Sequence, residues 1–247
     1  MVVTEHFAAV LDGATDPNGP LYGQVSGGRL AAAAAAAAIA ALAPDVDARA
    51  AVEAMSNGVD AAIRAHAPDG PVTHRPMTTL VMYSVARAEI WRVGDSHFAL
   101  DGGAHHGESE KDRVTCAIHK AWTDALLRTG HSVEEIRASD PGFTAMFPLF
   151  AMEGAWVNRP GSRFSFAAVN GEPVPGEYVE VVDAAGAAVV TLASDGYLVV
   201  SGDLAGAEAD LASTLAADPL LQNTGTNRVW KAGFASFDDR AWVRFRP

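Results

Sequence analysis

Three apolar runs in this chain adjoin an acidic tight turn: Ala8-Ala9-Val10-Leu11 ahead of Asp12-Gly13, Leu192-Ala193 ahead of Ser194-Asp195-Gly196, and Ala241-Trp242-Val243 behind Phe237-Asp238-Asp239-Arg240. A carboxylate at the mouth of a core strand is costly to desolvate unless it is hydrogen-bonded, paired or holding a cation. The three turns lie far apart in the chain, so only a folded sheet can bring them together. If their strands are neighbours, Asp12, Asp195 and Asp238 converge at one sheet edge, where like charges raise each other's pKa until a cation neutralises them. Oxygen-only ligation of this kind suits Mg²⁺ or Mn²⁺ rather than Zn²⁺. Two such ions sharing a carboxylate would acidify a water between them and polarise a phosphoryl oxygen, the two-metal route to phosphoester hydrolysis. Taken singly, each aspartate reads equally as a turn or helix cap.

The remaining pattern frames these turns. His6 to Leu11 reads as a short strand leading into a loop dense in turn formers, Asp12 to Pro20. Helices are expected at Arg29 to Leu42 and Asp47 to His66, the second with Val52, Met55, Val59 and Ile63 on one face. Thr79 to Ala86 and Glu89 to Val93 form a hairpin around Arg87-Ala88, with a further strand at His97 to Leu100. Asp101 to Lys111 reads as a polar loop, Arg113 to Arg128 and Val133 to Ala138 as helices. Phe164 to Val169, Tyr178 to Val182 and Val189 to Ala193 return to strand. A short helix, a second alanine-rich helix at Leu204 to Ala217 and a last strand at Ala241 to Phe245 follow. Strands in runs and helices in pairs predict an α+β class, and no repeat or linker cuts the chain, so one domain over residues 1–247 is expected.

Composition narrows the partners. A net charge of −12, with 18 Lys and Arg scattered along the chain, disfavours a nucleic-acid partner, which is bound through clustered basic side chains. An anionic substrate would be repelled at long range, so phosphate chemistry would need local cations. The alanine run Ala31 to Ala38 is too short to span a bilayer, the start of the chain has no basic segment before its apolar stretch, and the lone Cys116 suits a reducing compartment. A cytoplasmic protein without membrane partner is expected.

A fourth acidic turn, Arg92-Val93-Gly94-Asp95-Ser96-His97, completes an order of motifs: VLDGA at 10–14, TTLVMYSVARAEIWRVGDSHFAL at 78–100, TLASDGYLVV at 191–200 and DDRAWVRF at 238–245. In that order they resemble the metal-dependent protein phosphatases of the PPM (PP2C) family. The resemblance implies a four-layer α-β-β-α sandwich of two antiparallel sheets flanked by helices. It implies two Mn²⁺ or Mg²⁺ ions, with Asp12 bridging them, the Gly13 carbonyl reaching one, Asp195 and Asp238 binding the other, and Asp95 near a third, weaker site. It implies hydrolysis of phosphoserine and phosphothreonine by a metal-bridging water. The residues ahead of Asp12 lack the family's usual acidic pair and phosphate-binding arginine, Glu5 being the nearest acid. Ala14 stands where many eukaryotic members, unlike bacterial ones, carry a histidine, and Asp238-Asp239 stands for the commoner Asp-Asn. The departures keep two alternatives open: a phosphatase of a small phosphorylated metabolite, and a catalytically weak or inactive module of this fold that binds partners.

Other features read more plainly. His97, His105 and His106 match no standard metal spacing and read as solvated. Gly23 to Arg29 lacks the ending of a nucleotide-binding loop and reads as a helix entry. Asn158 to Gly161 and Asn170-Gly171 read as turns framing a flap beside the cleft. Arg29, Arg75 and Arg92 are the candidate substitutes for the missing arginine. Cys116 reads as a packed thiol.

Overall fold

The computed structural model of the chain describes residues 1–16, 19–67 and 75–247. Pro17 and Asn18 of the turn-forming loop lie outside the described residues.

Nine strands form two antiparallel sheets among the described residues. The first has the order β1 (Val2–Val3), β2 (Phe7–Gly13), β3 (Thr78–Ser84), β4 (Glu89–Val93), β7 (Glu180–Asp183). The second runs β6 (Gly103–His105), β5 (His97–Leu100), β8 (Val190–Ala193), β9 (Trp242–Phe245). Short strands therefore close every edge.

Strand alternation builds the layers, because successive side chains point to opposite faces. Phe7, Ala9 and Leu11 of β2 and Leu80 and Met82 of β3 pack against α1 (Gly27–Ala40) and α2 (Ala48–Ala65). The opposite faces, Ala8, Val10, Val81 and Tyr83, meet Phe98, Val190 and Leu192 of the second sheet. Ala99 and Ala193 turn the other way, onto Tyr197, Val200 and Ala207 of α7 (Leu204–Ala217). The layers run α-β-β-α, in an α+β fold. Burying each large apolar side chain in these clusters stabilises by about 1.5–3 kcal/mol.

The helices start where side chains can cap them. Ser26 Oγ accepts the Arg29 N–H (3.4 Å) and Asp47 Oδ1 the Ala50 N–H (2.8 Å). Ser109 and Asp112 form a reciprocal capping box, so α3 (Glu110–Arg128) begins ahead of the expected Arg113. Three further helices follow, α4 (Val133–Ser139), α5 (Pro141–Ala145) and α6 (Phe147–Phe150), of which α4 and α5 pack against α3; the last two were not expected from the sequence.

Several expectations are corrected. Phe164 to Val169 is not a strand, for it makes only single bridges, Val157 to Phe166 and Thr78 to Val169. The buried Asn158 takes a ladder partner's place: its Nδ2 donates to the Ala168 carbonyl (2.7 Å) and its Oδ1 accepts the Ala168 N–H (3.1 Å). The short helix after Gly196 is absent, its place taken by a turn closed by Tyr197 N–H donating to the Ser194 carbonyl (3.2 Å). The strand expected at Tyr178 to Val182 is shifted to Glu180–Asp183, since Tyr178 ends a 3₁₀ turn. The loop from Asp101 to Lys111 contains β6, paired with β5, and the first turn of α3.

Candidate metal-binding cleft

The strand alternation that sends Ala8 and Val10 between the sheets continues to Asp12, which closes the β2 series at the sandwich's end. Its carbonyl accepts the Thr78 hydroxyl at 2.6 Å. The next residue, Gly13, has no room for a side chain, since a Cβ there would lie 2.5 Å from the Gly28 carbonyl oxygen. Gly28, in the first turn of α1, thus serves close approach to the Gly13-Ala14 backbone.

The second turn is fixed by β8 and β9. Ser194 N–H donates to the Ala241 carbonyl (3.1 Å) and Ala241 N–H to Ser194 Oγ (3.0 Å). A Cβ on Gly196 would lie 2.2 Å from the Asp239 carbonyl oxygen, so only glycine lets the Asp195 turn rest on the Asp238-Asp239 loop. Gly94, at φ +93° and against Thr79, likewise holds the turn carrying Asp95.

Asp12, Gly13, Asp95, Asp195, Asp238 and Asp239 together line one cleft of about 300 Å³. The structure brings every residue chosen from the sequence as a metal ligand to it. Facing them are Lys111, Glu153 and Arg228, with Phe143, Phe150 and Phe166 as apolar wall.

Crowding sets the protonation. Burial, reinforced by the facing Asp239, Asp95 and Asp238 and partly offset by the Asp195 side chain, raises the Asp12 carboxyl to about 7. Facing carboxyls of like charge disfavour each other's ionisation. Burial and then the charges of Asp95 and Asp12 push Asp195 well above the carboxylate range. Asp195 keeps an open face toward the cleft, so mutual repulsion is the firmer cause of its shift. Asp95 is raised by burial and by Asp112, and Asp238 by burial against the lowering pull of Arg228.

Among the described residues no group of three or more His, Cys, Asp or Glu is already gathered tightly enough to hold a metal ion. The donors are nevertheless suited to a hard divalent cation: carboxylates converge from separate turns on a cleft whose own lining has neither thiol nor imidazole, and their charges repel until something positive enters.

A stability test follows from the sign of these shifts. An acid whose folded pKa is raised stabilises fully below its unfolded value and loses that contribution as pH rises through the folded one. For Asp12 the window runs from 3.8 to about 7. In chelator, the melting temperature should therefore fall across that window, and Mn²⁺ should restore it most at the alkaline end. A metal-free melting temperature that rises from pH 5 to 8 would contradict the crowding.

The remaining candidates do not line this cleft, but His97, His106 and Cys116 line an adjoining cavity that also reaches Asp95, Asp195 and Asp238. Arg92 pairs with Glu180 (2.6 Å), Arg75 with Asp60 (2.5 Å), and Arg29 is exposed away from the cleft. Glu5 is exposed in a turn. His105 and His106 are exposed, but His97 is not solvated as expected: burial, with His106 and Arg92 nearby, lowers it to about 4, and its Nδ1 accepts the Gly107 N–H (3.2 Å). Cys116 is buried, its thiol raised to about 11 by burial. The flap turns are pinned by Asn158, whose Nδ2 also donates to Asn170 Oδ1 (3.1 Å).

The sequence reading missed the two cations. Lys111 Nζ sits 3.0 Å from Asp112 and 3.2 Å from Glu153, with the Phe166 ring centroid at 4.5 Å. Burial opposes its charge, but Asp112, Glu153 and Asp95 outweigh that and hold the ammonium above its ordinary range. Nothing in the local pattern of a charged helix start distinguishes it.

No protein-family model and no curated protein matches the chain. Solved structures do. The architecture resembles that of PPM-type serine/threonine phosphatases. The Mycobacterium tuberculosis serine/threonine phosphatase PstP/Ppp is 16% identical, over 97% of this chain and 87% of that one, with a TM-score of 0.45. The catalytic domain of PstP in complex with two manganese ions is 17% identical, over 98% and 87%, at 0.44. The PPM Ser-Thr phosphatase MsPP from Mycobacterium smegmatis, in complex with cacodylate, is 18% identical, over 98% and 88%, at 0.43. With TM-scores this low, the roles of individual residues rest on the cleft's own geometry.

Proposed function

We propose that this chain is a phosphomonoester hydrolase dependent on two divalent cations, Mn²⁺ or Mg²⁺. The observation that carries the reading is the convergence of Asp12, Asp195 and Asp238 from separate strand ends on one cleft, where burial and their mutual repulsion raise the carboxyls. Asp12, Asp195, Asp238 and the Gly13 carbonyl would hold the two ions, and Asp95 a third, weaker one. When bound, such ions supply charge neutralisation to a phosphoryl group and a nucleophile at neutral pH.

The chain's own groups do the rest. The backbone contacts of Gly13 with Gly28 and of Gly196 with Asp239 fix the carboxylates at a spacing set by main chain rather than by flexible side chains. Phe143, Phe150 and Phe166 exclude water from one wall. The net charge of −12 repels anions from the surface at large, so a phosphate enters only where cations face it. We propose a phosphoserine or phosphothreonine protein as substrate, with a small phosphorylated metabolite as the alternative, in the cytoplasm.

Chelation should abolish hydrolysis of p-nitrophenyl phosphate by the purified chain, and added Mn²⁺ or Mg²⁺ should restore it, because oxygen-only sites exchange their ions readily. Tight stoichiometric zinc, or turnover indifferent to chelator, would refute the reading. Mn²⁺ binding without turnover would mark a binding module of the same fold instead.

A further inference from the structure

We propose that Arg228, from the irregular segment between α7 and β9, is the residue that grips the substrate's phosphate, and that Asp238 holds it in reserve until a divalent cation enters. This rests on the hydrolase reading and names the group that the sequence left missing.

Of the two cations in the cleft, Lys111 is committed, in ion-pair contact with both Asp112 and Glu153. Arg228 is not. Its Nε lies 3.5 Å from Asp238 Oδ2 and its Nη2 3.4 Å from Thr15 Oγ1. Both contacts are long, and they engage at most two of the five donors a guanidinium carries. The guanidinium lies over the Phe143 ring, its carbon 3.8 Å from the centroid. A stacked, planar fork beside a carboxylate cluster is well shaped for bidentate capture of a phosphate.

The placement is built. Asp140 is fully buried and left-handed in backbone (φ 49°). Its Oδ1 accepts the Phe143 N–H (3.1 Å) and also meets His119 Nε2 (2.9 Å), while its Oδ2 accepts the Val229 N–H (3.1 Å). One buried carboxylate thus anchors both the ring under the guanidinium and the backbone that carries it. Asn227 Nδ2 donates to Thr115 Oγ1 (3.1 Å) and fastens the same segment to α3.

The coupling follows from charge. Asp238 cannot serve a guanidinium and a divalent cation equally, so cation binding at Asp238 weakens the hold on Arg228 and turns its donors to an incoming anion. Metal and phosphate binding are then mutually favourable, by linkage.

Calorimetry on the full chain decides this, with Mn²⁺ and inorganic phosphate as probes and Arg228→Ala and Arg228→Lys beside wild type. Phosphate affinity of the Mn²⁺-loaded protein should drop about ten- to a hundredfold in Arg228→Ala and less in Arg228→Lys. Mn²⁺ affinity should rise, about two- to fivefold, because a competing cation leaves Asp238. These opposite signs separate a binding role from a structural one, which would weaken both. Phosphate affinity unchanged in both variants overturns the inference and leaves the hydrolase reading standing. Wild type that binds phosphate through Arg228 but hydrolyses no ester refutes the hydrolase reading and leaves the grip. Mn²⁺-loaded wild type that binds no phosphate overturns both.

Discussion

Asn in place of Asp195 is expected to lower Mn²⁺-dependent turnover by about a thousandfold or more, the several kcal/mol that a lost ligand removes from transition-state charge stabilisation. It is also expected to raise the melting temperature of the metal-free protein. Asp195 faces the charges of Asp95, Asp12 and Asp238, and a neutral amide of the same shape removes one charge from that cluster. Relief of about 1 kcal/mol would appear as roughly 2–4 °C in a chain of this size. Near-normal turnover at saturating Mn²⁺ would show that Asp195 holds no metal. A lower melting temperature would show that the cluster is not under repulsion.

Lys111→Met should be the most destabilising change at the cleft, by about 2–4 kcal/mol at neutral pH, because it strands partly buried carboxylates without their cation. The side chains of Lys111 and Glu153 are 16% and 7% exposed, which tempers the loss only modestly. The pH dependence identifies the cause. Burial alone would raise Asp112, but Lys111 and the Ser109 hydrogen bonds overcome it and hold the carboxyl below 3.8. A depressed acid contributes stability above its unfolded value and loses it as pH falls through the folded one. The difference between wild type and variant is therefore full near pH 7 and narrows toward about pH 4, where the stranded carboxylates take up protons. Urea unfolding at both values would read this out. An equal penalty at both would assign the loss to packing over Phe166.

Most of the sheet framework was legible because strand signals were local: the hairpin around Arg87-Ala88 and the alternation in Phe7–Gly13 and Thr78–Ser84 encode face and register together. That Asp12, Asp95, Asp195 and Asp238 would meet in one cleft was legible for a related reason, since an acid beside an apolar run means more when the pattern recurs than when it stands alone. Phe164 to Val169 misled because its pattern is apolar while its partner is the Asn158 side chain, ten residues away from Ala168, a substitution no periodicity can reveal. Arg228 and Lys111 were hidden for the opposite reason. Each sits in a charged or irregular stretch that resembles ordinary surface, and only the Asp140 anchor and the Asp112-Glu153 pair make them part of the cleft.

The short outermost strands bear on how a large substrate could dock. The first sheet ends in the two residues Val2–Val3 on one side and the acidic Glu180–Asp183 on the other, the second in Gly103–His105 and Trp242–Phe245. Edges this brief give an extended peptide little backbone to pair with. A phosphoprotein segment lying against this chain would be recognised by what its side chains and phosphate offer the cleft mouth, and sequence selectivity of the kind that strand addition confers would be weak.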